Sequence, residues 1–377
     1  MVMAFNREQH LLLWCLGNGS QLPPLPDDGL DWSTFLDLAQ THNIVPVVAS
    51  TLRDFPQGHI PAKVSSTLQA WRIESTRHNM ALLMELLGIL DLLKAEDISA
   101  VPFKGPTTAM MAYGDLSLRT CGDLDILVPQ SDYPKAISIL QSNGYAETER
   151  YEAAMQSTLV HEKSHISIDM HWGIPPRELD LKIGLLRKSL EDFNLGGKTV
   201  HTFSVRDMFI IHCINATKEY WRPTLQQLYD IKMFIEHTDL KWHAVFKRAK
   251  DIGCERMVMA ALLATHSLLT LQLPEPMLSD LKRLSYAGRV AQELENHLFS
   301  EKNATLSRQI STLSIFPNQH AYYTALSGSP FQRAWRWMEW IFTPNSVDRE
   351  CIYLPRPLSF LYCIIRPVRL LLKALWR

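Results

Sequence analysis

The sequence predicts an α+β fold, a small mixed β-sheet core flanked by N- and C-terminal helical regions. Three observations carry that prediction. Apolar residues recur at helical spacing before residue 97 and again after residue 202. Between those limits the runs are short, β-branched and alternating. Gly, Pro, Asn and Asp clusters separate those runs. The expected organisation is therefore an N-terminal helical region over 1–96, a core over 97–202 and a C-terminal helical region over 203–377.

Taken in order, Leu36 and Leu38, then Val45, Val47 and Val48, read as one helical stretch that Asp31 or Ser33 caps. A longer helix is expected from about Ala62 to Ala95, with Leu82, Leu83, Leu86, Leu87, Leu90 and Leu93 at helical spacing. The first region holds no catalytic cluster, and packing is its expected role. ISAVPF reads as a strand. Gly105 suits the N-cap of a short helix through Tyr113, and Pro106 its first position. GDLSLRTCG reads as a loop. DLDILV alternates, with Leu124, Ile126 and Val128 on one face and Asp123, Asp125 and Leu127 on the other. Pro129 ends that strand. Ser131 is the expected cap of a helix to about Ser142, closed by Asn143 and Gly144. Residues 145–171 hold two or three strands, the last placing Ser167, Asp169 and His171 on one face. ELDLKIGLLRKSLEDF is periodic and reads as helix, and NLGGKTVHTF as a turn and hairpin. Helical spacing then runs from Val205 to about Leu273, and prolines interrupt a mostly helical remainder.

Composition narrows the class. With 46% hydrophobic and 20% charged residues, the 377-residue chain suits a globular protein with a large core. A net charge of −1 gives no basic footprint for duplex nucleic acid. No apolar run reaches the roughly 18 residues of a membrane-spanning helix, and the N-terminus lacks the pattern of a signal peptide. Six scattered cysteines without a CxxC pair fit reduced thiols, so a cytoplasmic location is expected.

The chemistry lies between Val101 and Trp172. Two aspartates at i and i+2 on a strand, Asp123 and Asp125, point to the same side. Such carboxylates on an apolar strand are costly unless a cation joins them. Mg²⁺ is the natural candidate, since it takes carboxylate oxygen and keeps sites for water and phosphate. Asp169 on a neighbouring strand would complete a clamp for two ions, about 3.5–4 Å apart. It would then serve as ligand and general base together. Gly105 lets phosphate approach the backbone, and the helix start at Pro106 offers free amides. Lys104 and Arg119 supply positive charge for the phosphates.

With those residues in place the chain resembles the nucleotidyltransferase superfamily of DNA polymerase β type. Within it, the chain is most similar to a bacterial uncharacterised nucleotidyltransferase family. The likeness rests on Phe103-Lys104-Gly105, Tyr113, Arg119, Asp123-Leu124-Asp125, Gly144-Tyr145 and Ile168-Asp169-Met170-His171-Trp172. It continues into His212, Trp221 and Asp230, and covers roughly residues 30–270. The resemblance implies a nucleotidyltransferase core, and Mg²⁺-dependent transfer of a nucleoside monophosphate from NTP, with ATP favoured, to a hydroxyl acceptor. That acceptor is a small molecule, a glycan or a protein, and pyrophosphate leaves. The alternative is a catalytically inactive protein of the same fold that binds a nucleotide or a protein partner. His171 and Asp230 are expected behind the ligands or beside the acceptor. One departure is a Lys-Gly opening where relatives carry Gly-Ser, which shifts phosphate handling onto Lys104.

Two other patterns carry no chemistry. His161-Glu162-Lys163-Ser164-His165 matches the zinc-protease HExxH, but the expected setting is strand, not helix. Gly197-Lys198-Thr199 resembles the end of a P-loop, yet no helix pattern follows it. The C-terminal stretch 356–377 sets Arg366, Arg369, Lys373 and Arg377 opposite Leu371, Leu372 and Leu375. That pattern suits a packed terminal helix or peripheral contact with the inner membrane surface.

Overall fold

The computed structural model describes residues 5–17, 29–53, 55, 59–151, 155–174, 183–218, 223–299, 324, 326, 330–344, 348, 352 and 354–375. The chain divides into two compact units, 1–308 and 309–377.

In the first unit, helices α1 (Arg7–Gly17), α2 (Trp32–Thr41), α3 (Val45–Arg53) and α4 (Ala62–Ala95) precede the sheet. Asp31 caps α2, accepting from the amides of Ser33 and Thr34. The single helix expected across this region is two helices. They break at His42 and Asn43, where Asn43 takes a left-handed φ of 59° that asparagine tolerates better than most residues.

The sheet has five strands: β1 (Val101–Phe103), β2 (Leu124–Leu127), β3 (Tyr145–Tyr151), β4 (Gln156–His161) and β5 (Ser167–His171). Their spatial order is β1-β2-β5-β4-β3. The β2–β5 pair is parallel and the other pairs are antiparallel. The fold is thus α+β with a mixed sheet and flanking helices, as expected. One face of the sheet places Leu124, Ile126, Leu159, Ile168 and Met170 in a core shared with Leu82, Leu86 and Leu93 of α4 and with α6 (Tyr133–Ser142). Each such fully buried side chain contributes roughly 1.5–3 kcal/mol. The opposite face carries the aspartates.

Three local expectations need correction. The short helix α5 (Gly105–Thr108), continued by a wider π turn over Ala109–Tyr113, has Lys104 and not Gly105 at its cap position. Helix α6 begins after Asp132, and Ser131 hydrogen-bonds the Asp132 carboxylate instead of capping the helix. Of the periodic stretch 178–193, the described part is a 3-10 turn, Ile183–Ser189, followed by strand β6 (Leu190–Leu195). Strand β6 pairs along its whole length with β7 (Lys198–Phe203) around Gly196 and Gly197. Cross-strand pairing there outweighs the local helical period.

The C-terminal part of the first unit is helical: α7 (Val205–Lys218), α8 (Leu225–His237), α9 (Trp242–Ile252), α10 (Glu255–Leu269), α11 (Glu275–Arg283) and α12 (Ser285–Leu298). Thr224 and Gln227 form a reciprocal capping box at the start of α8. The second unit contains α13 (Pro330–Phe342) and α14 (Tyr362–Leu375). Arg366 and Arg369, expected on an open basic rim, pair with the buried carboxylate of Asp348. Asp348 lies outside the 356–377 stretch, so the helix pattern alone does not reveal the pairing. No helix of the described residues is long and apolar enough to cross a membrane.

Asn79 of α4 holds the loop between α5 and β2. It is fully buried; its Nδ2 donates to the Leu116 and Arg119 carbonyls, and its Oδ1 accepts from the Cys121 amide. Asn79→Leu leaves those three backbone groups unpaired. The expected loss is about 2–4 kcal/mol of unfolding free energy, read by urea denaturation; an unchanged midpoint would rule out this anchoring role.

Candidate active site

Register brings the carboxylates together. Asp125 stands directly beside Asp169 across the parallel β2–β5 pair. Asp169 faces Thr158 on β4, and Asp125 faces Phe103 on β1. Both oxygens of Asp169 are held from β4, by Thr158 Oγ1 at 2.7 Å and Gln156 Nε2 at 2.8 Å. Neither residue was singled out in the sequence. Their signal was the polar alternation of β4, which acquires meaning only once β4 is known to neighbour β5.

Asp125 is buried, and two donors meet at its Oδ1. Lys104 Nζ lies 2.6 Å away and His171 Nε2 3.0 Å away. Burial alone would raise this carboxyl, but the Lys104 ammonium and His171 outweigh it and hold it well below the usual range. Burial lowers the His171 pKa against the pull of Asp125, so the ring is neutral at physiological pH. Its Nδ1 is buried without a hydrogen-bond partner. Burial pulls the Lys104 amine down, but the Asp125 charge lifts it further, and it stays protonated.

Asp123 differs from its neighbour. Among the described residues it makes no hydrogen bond or ion pair. Burial, followed by the charge of Asp125, raises its pKa to about 7, with Lys104 opposing. A half-buried carboxylate of this kind, beside two others, is suited to a cation.

Asp125, Asp169 and His171 offer ligand atoms that all lie within 4.8 Å of one another, close enough for one metal ion to join them. His171 stands with the two aspartates in that set, its Nε2 turned to Asp125, and Asp123, the other expected ligand, is two residues from Asp125. Two carboxylates and an imidazole form a donor set that suits a divalent ion with oxygen or mixed ligands.

The Lys-Gly turn sits at the edge of this cluster. Lys104 has φ 58° and ψ −154°, a region close to glycine-only that costs about 1–3 kcal/mol. Gly105 follows with φ 43°, and a Cβ there would stand 3.1 Å from the Asp123 carbonyl. Glycine is therefore required for the backbone to pass β2 so closely.

Arg119 and Asp230, expected near phosphate and acceptor, meet each other. Arg119 donates from Nε at 2.8 Å and Nη2 at 2.9 Å to the two Asp230 oxygens, and both residues are buried. Tyr113 OH donates to Asp230 Oδ1 at 2.6 Å. His212 Nδ1 lies 3.2 Å from Asp230 Oδ2, while its Nε2 sits 2.8 Å from Thr108 Oγ1. Burial lowers the His212 pKa, so this ring too is neutral. Tyr113, Arg119, His212 and Asp230 thus form one buried network tying the start of the site to α7 and α8. Trp221 lies outside the described residues. The HExxH stretch is the β4–β5 turn, not the strand expected; His161 Nδ1 turns to Ser164, and His165 has φ 56°. The Gly197-Lys198-Thr199 stretch lies in the β6–β7 hairpin, as expected.

Carboxylates gathered on one sheet face, beside a cationic turn that opens a helix, meet the needs of metal-assisted nucleotidyl transfer. The fold and site define a nucleotidyltransferase. The chain belongs to the uncharacterised nucleotidyltransferase family, whose profile matches residues 28–270. Three solved structures show weaker likeness. The lincosamide antibiotic adenylyltransferase LnuA, lincomycin-bound, is 18% identical with a TM-score of 0.33, over 41% of this chain and 97% of that one. An antigenic nucleotidyltransferase-like protein from Paracoccidioides brasiliensis is 13% identical with a TM-score of 0.33, over 56% and 93%. The antibiotic-resistance factor ANT(2'')-Ia is 12% identical with a TM-score of 0.31, over 58% and 98%. Comparison with curated proteins gives no match.

Two outcomes follow from the electrostatics. An unfolded aspartate ionises near 3.8 and folded Asp123 at about 7, so metal-free stability falls as pH rises through that window. In chelator, Asp123→Asn is expected to exceed wild type by about 1–3 kcal/mol at about pH 8, with the gap closing towards about pH 4. Urea denaturation at both pH values checks this, and a pH-independent gap would contradict it. Separately, Asp230→Ala strands a buried arginine and is expected to cost about 3–5 kcal/mol, much of it recovered in Arg119→Met/Asp230→Leu. A double variant no more stable than Asp230→Ala would show that the pair is not acting as a unit.

Proposed function

We propose that this protein transfers a nucleoside monophosphate from an NTP to a hydroxyl acceptor and releases pyrophosphate. The observation that carries this reading is the side-by-side placement of Asp125 and Asp169, with Lys104 at the rim. Asp125 and Asp169 would hold Mg²⁺, with His171 orienting Asp125 and Asp123 available as a further ligand. When bound, the metal supplies Lewis-acid charge for the triphosphate. Gly105 and the amides at the start of α5 form the wall against which the phosphates rest. Asp169, oriented by Thr158 and Gln156, takes the proton of the attacking hydroxyl. Arg119 acts through Asp230 and Tyr113, keeping the α5 turn in place. ATP is the donor to test first, and a cytoplasmic setting supplies it with Mg²⁺ and reduced thiols.

Lys104 has a double part in this reading. Without metal its amine neutralises Asp125. With Mg·NTP present, the same amine turns to the phosphates. The ion pair also favours a rival, a catalytically inactive nucleotide-binding protein in which lysine permanently replaces the cation.

Lys104→Met separates the two. On the catalytic reading, Mg²⁺ alone binds this variant more tightly, by calorimetry, while transfer from labelled NTP falls by about 10²–10³-fold. Asp125→Ala abolishes both. If the wild-type protein neither binds Mg·NTP nor labels any acceptor in a cell extract, the enzymatic reading fails.

A further inference from the structure

We infer that the C-terminal unit docks on an anionic lipid surface through apolar faces of α13 and α14. A helix on a protein in water turns charge outward and apolar side chains inward. Helix α14 does the reverse. Its Arg366 and Arg369 point inward to Asp348, at 2.9 and 2.7 Å, and Arg366 and Asp348 are buried. On the outer side Ile364, Val368, Leu371 and Leu372 are each more than half exposed. Their spacing places them on one face of the helix. Phe360, 63% exposed, continues the stripe before the helix begins.

Helix α13 packs against α14 and repeats the pattern. Phe331, Trp335, Met338 and Phe342 fall at i, i+4, i+7 and i+11, and all are exposed, Phe331 at 77%. Two neighbouring helices with open apolar stripes are more than scattered surface hydrophobics.

The occupant follows from charge and length. Apart from the mutually paired Arg366, Arg369 and Asp348, residues 330–377 hold six Lys or Arg against two Glu, while the whole chain is at −1. They also hold four of its ten tryptophans. Basic charge with Trp, Phe and Leu is the composition of a segment lying in the headgroup region of an anionic bilayer. With 14 residues, α14 is about 21 Å long, short of the roughly 30 Å hydrocarbon core. It therefore lies along the surface instead of crossing it. A second copy of the chain would bring like charge to like charge and is the poorer partner.

The test is flotation of the full chain with phosphatidylcholine vesicles, with and without added phosphatidylserine. Wild type is expected to float with the phosphatidylserine vesicles and to be released by salt. Val368→Asp/Leu371→Asp is expected to lower the bound fraction by about tenfold or more, with the circular dichroism spectrum unchanged. Trp335→Asp/Met338→Asp, on the other helix, is expected to do the same. Since these positions are remote from the carboxylates in sequence and lie in the other unit, nucleotidyl transfer is read in parallel and fails or survives independently. Equal binding to both vesicle types, no binding to either, or undiminished binding of both variants overturns the proposal. So does a concentration-dependent dimer, without vesicles, that the same substitutions dissolve.

Discussion

Parallel pairing between β2 and β5 is the constraint on which the site depends. It sets Asp125 beside Asp169 and, in the same register, Ile126 beside Met170. A slip of one residue would turn the apolar set towards water and the acids into the core. The hydrophobic face therefore specifies where the carboxylates stand. Core packing against α4 and α6 and the geometry of the site are one energetic question, because both are read from the two faces of the same strands.

A second constraint lies away from the carboxylates. Bidentate pairing of Arg119 with Asp230, with Tyr113 and His212 around it, joins the loop before β2 to the helices after the sheet. Fully buried ions are tolerated where geometry is good and remaining donors are satisfied. The Arg119 guanidinium also faces the Gly105 carbonyl, so the network touches the turn that carries Lys104. Its contribution is positional: it holds a strained backbone where the amine can reach Asp125.

Much of this was legible in the sequence because it is local. The period change near residue 98, the same-side placement of Asp123 and Asp125, the Asp31 cap and the Gly196–Gly197 hairpin each follow from a few adjacent residues. What was missed or left open was also physical. A helical period over 178–193 gave way, from Leu190 onward, to strand pairing with 198–203. A single helix near residue 40 was broken by one left-handed asparagine. Arg119, read as a phosphate ligand because it lies four residues before Asp123, found a partner 111 positions away. Arg366 and Arg369 found a carboxylate outside the helix that bears them.

By itself the sequence determined the class of chemistry: carboxylates in pairs, a cationic glycine turn, strands to carry them and helices on either side. Residue type and short spacing suffice for that, since they set which atoms share a face. Tertiary structure alone decided which charges meet. It placed His171 and Lys104 on Asp125, Thr158 and Gln156 on Asp169, and Arg119 on Asp230, while Asp123 stayed without a partner among the described residues. Such contacts join segments tens to more than a hundred residues apart, and their energies depend on burial and distance, which exist only once the chain has folded.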